Sequence, residues 1–298
     1  MSAEDLAGAG DRWVGAAALA GGKHYAYCNF GALHYRRLCS TENSGALPAV
    51  LLLHQTPFGL VEWVDVQPRL ARLGFDVIAP DNPGFGMSDP PPATVTIADL
   101  ADNLATFLDT LGLADVAVAG HHTGAAIAAA FASRHANRVS ALVLHGCPLY
   151  SLQERSERLA RAQPSLAPTA DGSHLSDLFR SINGYAGDAT ANMVSTTWAT
   201  LGAALAGSSP SVYRAVFAND MTGDIDAIRA PTLVLTDEAD NLHDKDLQVQ
   251  ARRQDFELSI FSTRGSFALM QDPHAWAAKV AEFLRRAQPR SLPDSRSC

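Results

Sequence analysis

The chain has 298 residues, is 47% hydrophobic and carries a net charge of −8 at pH 7. That length holds one large α/β domain plus an inserted subdomain, and the acidic balance gives no reason to expect nucleic acid or an anionic membrane surface as a partner. The opening residues Met1 to Leu6 are acidic and lack the basic and apolar regions of a secretory leader, and no uninterrupted apolar run is long enough to span a bilayer. Cys28, Cys39, Cys147 and Cys298 form no Cys-x-x-Cys pair, so free thiols in a reduced cytoplasmic setting are expected.

In chain order, residues 1–21 are rich in Ala and Gly and predict a poorly ordered segment. Residues 24–29 and 32–39 carry aromatic and branched side chains around Gly31, the pattern of a β-hairpin. Ala49 to Leu53 is a continuous apolar run, as in a strand covered on both faces. It ends in His54-Gln55-Thr56-Pro57, and a helix carrying Val61, Val64, Leu70 and Leu73 is expected next. The strand Asp76 to Ala79 leads into a dense turn from Pro80 to Asp89. Apolar residues at helical spacing from Ile97 to Leu111 predict an amphipathic helix.

A short buried-strand run then begins at Val116, followed by Gly120-x-x-x-Gly124 and an Ala-rich helical run to His135. The strand Ala141 to Leu144 follows. Alternating strands and helices imply right-handed crossovers and a mostly parallel sheet. The alternation stops at residues 148–226, which are rich in Ser, Ala and Gly with scattered aromatics, and we read this stretch as a mostly helical insertion. The sheet resumes at Pro231 to Thr236, and Glu257 to Phe261 is the last strand. Asp272-Pro273 is an N-cap followed by proline at the first helical position, opening a final helix before a frayed tail at 289–298. The core domain therefore comprises residues 22–147 and 227–288.

Four local motifs, in order, resemble the α/β-hydrolase superfamily across about residues 24–287. His54-Gln55-Thr56-Pro57 is similar to its oxyanion loop. Asp81-x-Pro83-Gly84-x-Gly86-x-Ser88-Asp89 looks like its signature turn, most diagnostic of the subgroup with a helical lid. Gly120 to Gly124 looks like its nucleophile elbow, and Asp237-Glu238-Ala239-Asp240 follows the strand that bears the triad acid, which the match places at Asp240. The resemblance implies an α/β-hydrolase fold, a lid over residues 148–226, an oxyanion hole from the backbone amides of Thr56 and Thr123, and no cofactor.

Two positions depart from the family, and they depart by exchange. His122 stands where the nucleophilic Ser, Cys or Asp is expected, and Ser266 stands where the catalytic His is expected. An imidazole on the elbow can act as a general base or a direct nucleophile, and an Asp240 carboxylate near the ring would raise its pKa and fix its tautomer. Ser266 is a hydroxyl partner of His122, or the nucleophile of a triad of reversed polarity. The bland readings are a decayed elbow with His122 filling space, and an Asp240 that only caps the next helix or forms an ion pair. His121 is expected to support the elbow, His54 to brace backbone beside Gln55, Cys147 to be a buried inert thiol near the pocket, and His243 and His274 to lie on the surface. Metal binding is not expected, because adjacent side chains on this turn should point apart and no carboxylate spacing completes a site.

The sequence thus points to an atypical hydrolase-fold enzyme acting on a small apolar or aromatic organic substrate, with hydrolysis of an ester, lactone or carbon–carbon bond implied by the resemblance. The alternatives are a non-hydrolytic acid/base enzyme (lyase, dehydratase, cyclase or cofactor-free oxygenase) and a ligand-binding protein without turnover. The oligomeric state is not legible in the sequence.

Overall fold

The computed structural model describes residues 22–39, 49–161, 169–186, 197, 200–201, 210–262 and 268–287. The N-terminal segment 1–21, Ser266 and the tail 289–298 lie outside these residues. The strands are β1 (His24–Cys28), β2 (Gly31–Leu38), β3 (Ala49–Leu53), β4 (Asp76–Pro80), β5 (Val116–His121), β6 (Val139–His145), β7 (Thr232–Asp237) and β8 (Glu257–Phe261). They form one sheet in the order β1-β2-β4-β3-β5-β6-β7-β8. β1, β2 and β4 pair antiparallel, and every other pair is parallel. This is an α/β-hydrolase fold with a mostly parallel sheet flanked by helices.

The central parallel strands β3, β5 and β6 are buried along nearly all their length because both faces are covered, and the two-residue period sorts alternate side chains to opposite layers. Leu51 and Leu53 of β3, Val118 of β5 and Leu142 of β6 belong to one layer, with α2 (Ile97–Thr110) and α3 (Thr123–Arg134). Val50 and Leu52, Ala117 and Ala119, and Ala141 and Val143 belong to the other, with α1 (Gln67–Arg72). That second layer includes Trp63 and Trp276, whose rings lie 5.4 Å apart.

The order in which strands are added to the sheet reverses at β3. The connection from β3 reaches β4 on one side, and the next strand, β5, lies on the other. In open α/β sheets this switch point leaves a crevice beyond the carboxyl ends of the two strands. His54 follows β3 and His122 follows β5, so the two loops singled out in the sequence flank that crevice.

The expected helix over Val61 to Leu73 is instead two pieces, a 3-10 turn at Leu60–Trp63 and α1. Pro68 lies in the first turn of α1, where its missing N–H costs no hydrogen bond but where it cannot continue a preceding helix. Between β6 and β7 lie α4 (Leu152–Arg161), α5 (Ser173–Ala186), α6 (Pro210–Ala218) and α7 (Met221–Ala227). α4 buries no residue, whereas Val212 of α6 and Met221 and Ile225 of α7 join the layer that holds α2 and α3. After β7 come α8 (His243–Arg252), α9 (Ala268–Gln271) and α10 (Pro273–Ala287). The Asp272 carboxylate accepts the Ala275 N–H at 2.9 Å, as its N-cap position predicts.

One cysteine departs from expectation. Cys28 and Cys147 are free, but Cys39 is disulfide-bonded. Sequence spacing does not report which cysteines meet in space. Among the described residues, no helix is long and apolar enough to cross a membrane.

The closest backbone approach sets the position of α3. A Cβ on Gly124 would lie 2.0 Å from the Leu53 carbonyl oxygen, and one on Gly120 would lie 2.2 Å from the Gly124 carbonyl oxygen. Both obstacles are backbone and cannot rotate aside. Gly124→Ala is therefore expected to destabilise the fold by about 3 kcal/mol or more. Gly112→Ala, at a left-handed turn with open space around it, should cost only about 1 kcal/mol. Equilibrium urea unfolding of the two variants checks the ranking.

Candidate active site

The elbow begins where β5 stops. His122 has φ 48° and ψ −108°, and it is the one non-glycine residue with positive φ among those described. Its N–H donates to the His145 carbonyl at 2.8 Å, and its own carbonyl accepts the Ala125 and Ala126 amides that start α3. A residue held in this sparsely populated region is strained, and such strain clusters at functional sites.

The imidazole projects over Gly146, where a Cβ would fall 2.1 Å from His122 Cδ2. Its Nε2 lies 2.8 Å from Asp240 Oδ2. The other carboxylate oxygen, Oδ1, accepts the Leu242 N–H at 2.7 Å. The Asp240 side chain is fully buried, while the His122 side chain retains 16% exposure. Burial opposes ionisation of Asp240, but the facing His122 and its hydrogen bond outweigh that and hold the carboxyl well below the usual carboxylate range. An ionised carboxylate only accepts, so Nε2 carries the hydrogen and Nδ1 is the basic nitrogen of the neutral ring. The structure thus brings His122 and Asp240 together. Ser266 lies outside the described residues.

The residues of the loop after β3 take defined places. Thr56 and Thr123 are buried, and Thr56 Oγ1–H donates to Thr123 Oγ1 at 2.9 Å. The Thr123 side chain therefore points at the β3 loop, the neighbour whose carbonyl α3 crowds. His54 Nδ1 lies 2.6 Å from the Gln55 carbonyl, and Nε2 accepts the Asn82 N–H at 2.7 Å. With Nδ1–H donating, both contacts are satisfied by one neutral tautomer, in keeping with a pKa lowered by burial. His54 thus ties the β3 loop to the signature turn. In that turn Asp81 accepts the Leu60 and Met87 amides and bonds His34 Nδ1. Gly86 is required there, because a Cβ would lie 2.1 Å from the Asp81 carboxylate.

Glu62 and Asp246 were not singled out by the sequence, and the structure places His145 beside them. Glu62 is buried and accepts the Gln55 N–H, the Gln55 side-chain amide and His121 Nδ1–H, at 2.8, 2.9 and 2.7 Å. Burial pushes its carboxyl up to about 7 against the pull of the Gln55 hydrogen bonds and nearby His54. His145, at the end of β6, accepts from Trp276 Nε1–H at 3.2 Å and faces Asp237 through Nε2 at 3.2 Å. Asp246 on α8 accepts the Gly146 and Cys147 amides at 3.1 and 2.7 Å. It thereby holds the backbone on which the His122 ring rests. The only hint of these roles was position: Glu62 lies in an apolar-spaced stretch just beyond the oxyanion loop, and Asp246 in the first turn of α8.

Cys147 is fully buried, and burial pushes its thiol well above the ordinary value, as an inert packing thiol requires. His274 is exposed, but His243 is half-buried, its Nδ1 3.1 Å from Thr236 Oγ1. The expectation that His121 and His122 point apart is corrected: their rings lie 4.4 Å apart at a 50° tilt. His121 sits at the end of β5 and turns back under the elbow to reach Glu62, which brings its ring beneath that of His122. One ligand-type atom each from His121, His122 and Asp240 lies within 4.8 Å of the other two. A cavity of about 360 Å³ lies within the insertion, lined by Leu175, Phe179, Arg180, Thr197, Thr200 and Leu201 among others, and no elbow residue lines it.

Asp246 gives a pH signature. Burial raises its carboxyl from 3.8 to about 6 despite the amide bonds. Between those values the folded chain holds a proton that the unfolded chain releases, so stability falls as pH rises across this window. Asp246→Asn has no such proton. On going from pH 4 to pH 6.5, the wild type should lose about 2 kcal/mol of unfolding free energy relative to the variant, measured by chemical denaturation at both pH values.

Residues 48–256 match the family described as alpha/beta hydrolase fold. Among curated proteins, epoxide hydrolase 2 of Siraitia grosvenorii is 39% identical over 101 residues, 33% of this chain and 32% of that protein. The 2-hydroxy-6-oxononadienedioate/2-hydroxy-6-oxononatrienedioate hydrolase of Burkholderia vietnamiensis is 38% identical over 102 residues, 33% of this chain and 35% of that protein. The aligned segment thus spans about a third of the length of these relatives. Among solved structures, an enol-lactonase from Burkholderia xenovorans LB400 superposes with a TM-score of 0.73 at 19% identity, covering 88% of this chain and all of that one. A thermophilic esterase from Thermogutta terrifontis gives 0.73 at 20% identity, over 89% and 99%. At such identities these two likenesses speak to fold alone. With the family match extending over more than half its length, the chain belongs to the alpha/beta hydrolase fold family.

Proposed function

We propose that the chain is an enzyme in which the His122–Asp240 pair is a general base acting on a small apolar or aromatic organic substrate, by hydrolysis of an ester, lactone or carbon–carbon bond. The observation that carries this reading is the 2.8 Å bond from Nε2 of an elbow imidazole to a buried, ionised Asp240. A decayed elbow gives no reason to hold a strained ring against a buried carboxylate. The names of the relatives, among them epoxide hydrolase and 2-hydroxy-6-oxononadienedioate/2-hydroxy-6-oxononatrienedioate hydrolase, support hydrolysis of a small molecule.

In the proposed step, Nδ1 takes a proton from water as the water oxygen bonds to the carbonyl carbon. The carbonyl electron pair moves onto oxygen, facing the backbone amides of Thr56 and Thr123. Collapse of that oxyanion breaks the bond to the leaving group, which takes the proton back from His122. Asp240 keeps the proton on Nε2 and stabilises the transient imidazolium. Ser266 serves as a second polar group at the site, and residues 148–226 serve as the lid over a core of residues 22–147 and 227–288. The elbow's lack of a hydroxyl favours one further reading, in which the same base removes a substrate proton and no water is added. Incorporation of heavy oxygen from labelled water into product separates the two.

His122→Ala is expected to lower kcat by about 10²- to 10⁴-fold. It also strands the buried Asp240 carboxylate and should cost about 1–3 kcal/mol of stability, most of it recovered when Asp240→Asn is added. Steady-state kinetics and thermal unfolding of the single and double variants check both effects. Retained turnover in His122→Ala would move the base elsewhere.

Serine-directed fluorophosphonates should not label the protein at the elbow, which offers no hydroxyl at position 122. The paired exchange His122→Ser with Ser266→His should create labelling at position 122, because Asp240 then orients a histidine beside a raised serine. Mass spectrometry of the treated proteins reads the outcome. Labelling of the unmodified chain at Ser266 would favour the triad of reversed polarity.

A further inference from the structure

The elbow brings together more than an acid/base pair. His121, His122 and Asp240 place one nitrogen or oxygen ligand atom each within a 4.8 Å triangle, with one edge, His122 Nε2 to Asp240 Oδ2, at 2.8 Å. Bonds of about 2.0–2.2 Å to zinc place the donors of a tetrahedral site roughly 3.3 Å apart. The short edge lies about half an ångström under that size, and the other two are bounded by 4.8 Å.

Two of the three donors are already oriented by outer partners. His121 Nδ1 is committed to Glu62 Oε1 at 2.7 Å, which makes Nε2 the lone-pair nitrogen. A carboxylate behind a histidine in this way fixes the ring and raises its basicity in metal sites. Glu62 is itself held by two N–H groups of Gln55. Asp240 is oriented through its second oxygen by the Leu242 amide. The third donor, His122, is the one of the three whose side chain is partly exposed, at 16%. Two imidazoles and one carboxylate suit borderline divalent transition ions rather than calcium or magnesium, which take all-oxygen sets.

We propose that His121, His122 and Asp240 form a binding site for one divalent transition-metal ion, of the zinc or cobalt type, with Glu62 as the outer partner of His121. The ion takes the place of the hydrogen between His122 Nε2 and Asp240. The displaced proton moves to His122 Nδ1, so the ring stays neutral while the nitrogen that served as base becomes a donor. Metal loading therefore switches off the base proposed above, although the binding itself does not depend on that catalytic reading.

The test titrates the metal-free full chain with cobalt chloride and follows the visible absorption of bound Co²⁺, with zinc chloride as competitor. One tightly bound equivalent is expected, with the intense absorption of a four-coordinate site, displaced by zinc. His122→Gln and Asp240→Asn should abolish that spectrum. Glu62→Gln keeps an acceptor toward His121 and should weaken binding about 10- to 100-fold. Circular dichroism confirms that each variant is folded, and if Asp240→Asn is not, His122→Gln alone decides. Absence of the spectrum in the wild type, or a spectrum unchanged in folded His122→Gln, overturns the proposal. Neither readout uses turnover, so loss of the site and loss of the catalytic reading are distinguishable.

Discussion

The architecture of the site rests on one backbone contact. α3 starts so close to the end of β3 that the Leu53 carbonyl occupies the place of a Gly124 side chain. The helix is buried from Thr123 to Ala132, mostly through alanines, with Ile127 and Phe131 among them. The chain must then turn from β5 into α3 within a single residue, and His122 takes the positive φ that this requires. The same turn lifts its imidazole away from the sheet and out over Gly146. Sheet packing, backbone strain and side-chain exposure are thus consequences of one close approach.

Around that turn the fold places five buried carboxylates, each facing N–H groups. Asp81 organises the signature turn, Glu62 holds Gln55 and His121, Asp237 faces His145, Asp246 caps the loop after β6, and Asp240 meets the elbow. Burial governs Glu62 and Asp246 and raises both. At Asp240 the facing imidazole outweighs burial, and the carboxyl is lowered. The difference is one of partners. Amides donate but carry no charge, whereas a ring that reaches solvent can take up a proton and stabilise the anion behind it. That contrast separates Asp240, held ionised against the His122 ring, from its neighbours, which brace the loops. The bracing is interlocked: Asp246 fixes Gly146, Gly146 bounds the His122 ring, and Glu62 turns His121 beneath it.

Most of the fold was legible along the chain. Aromatic and branched residues around Gly31 and continuous apolar runs marked the strands, helical spacing marked the long helices, and Asp272-Pro273 marked the start of α10, because these signals arise from local geometry and from which face is covered. The Gly120 to Gly124 spacing located the turn from β5 into α3, since loops fixed by a rigid sheet recur at fixed places beyond its strands. The split at Pro68 was a local feature passed over in favour of the apolar spacing.

What the sequence by itself determined is the class of fold, the elbow with its exceptional histidine, and the loop that carries Asp240. Only the tertiary structure decided that the His122 ring bonds that aspartate across 118 positions, that Asp246 holds the Gly146 amide from 100 positions away, and that Cys39 is disulfide-bonded. It also decided that the rings of adjacent His121 and His122 converge rather than diverge. The reason is physical. A periodicity records only whether a residue faces water or core, whereas a hydrogen bond between distant loops depends on sheet order and on the few ångströms by which one backbone approaches another.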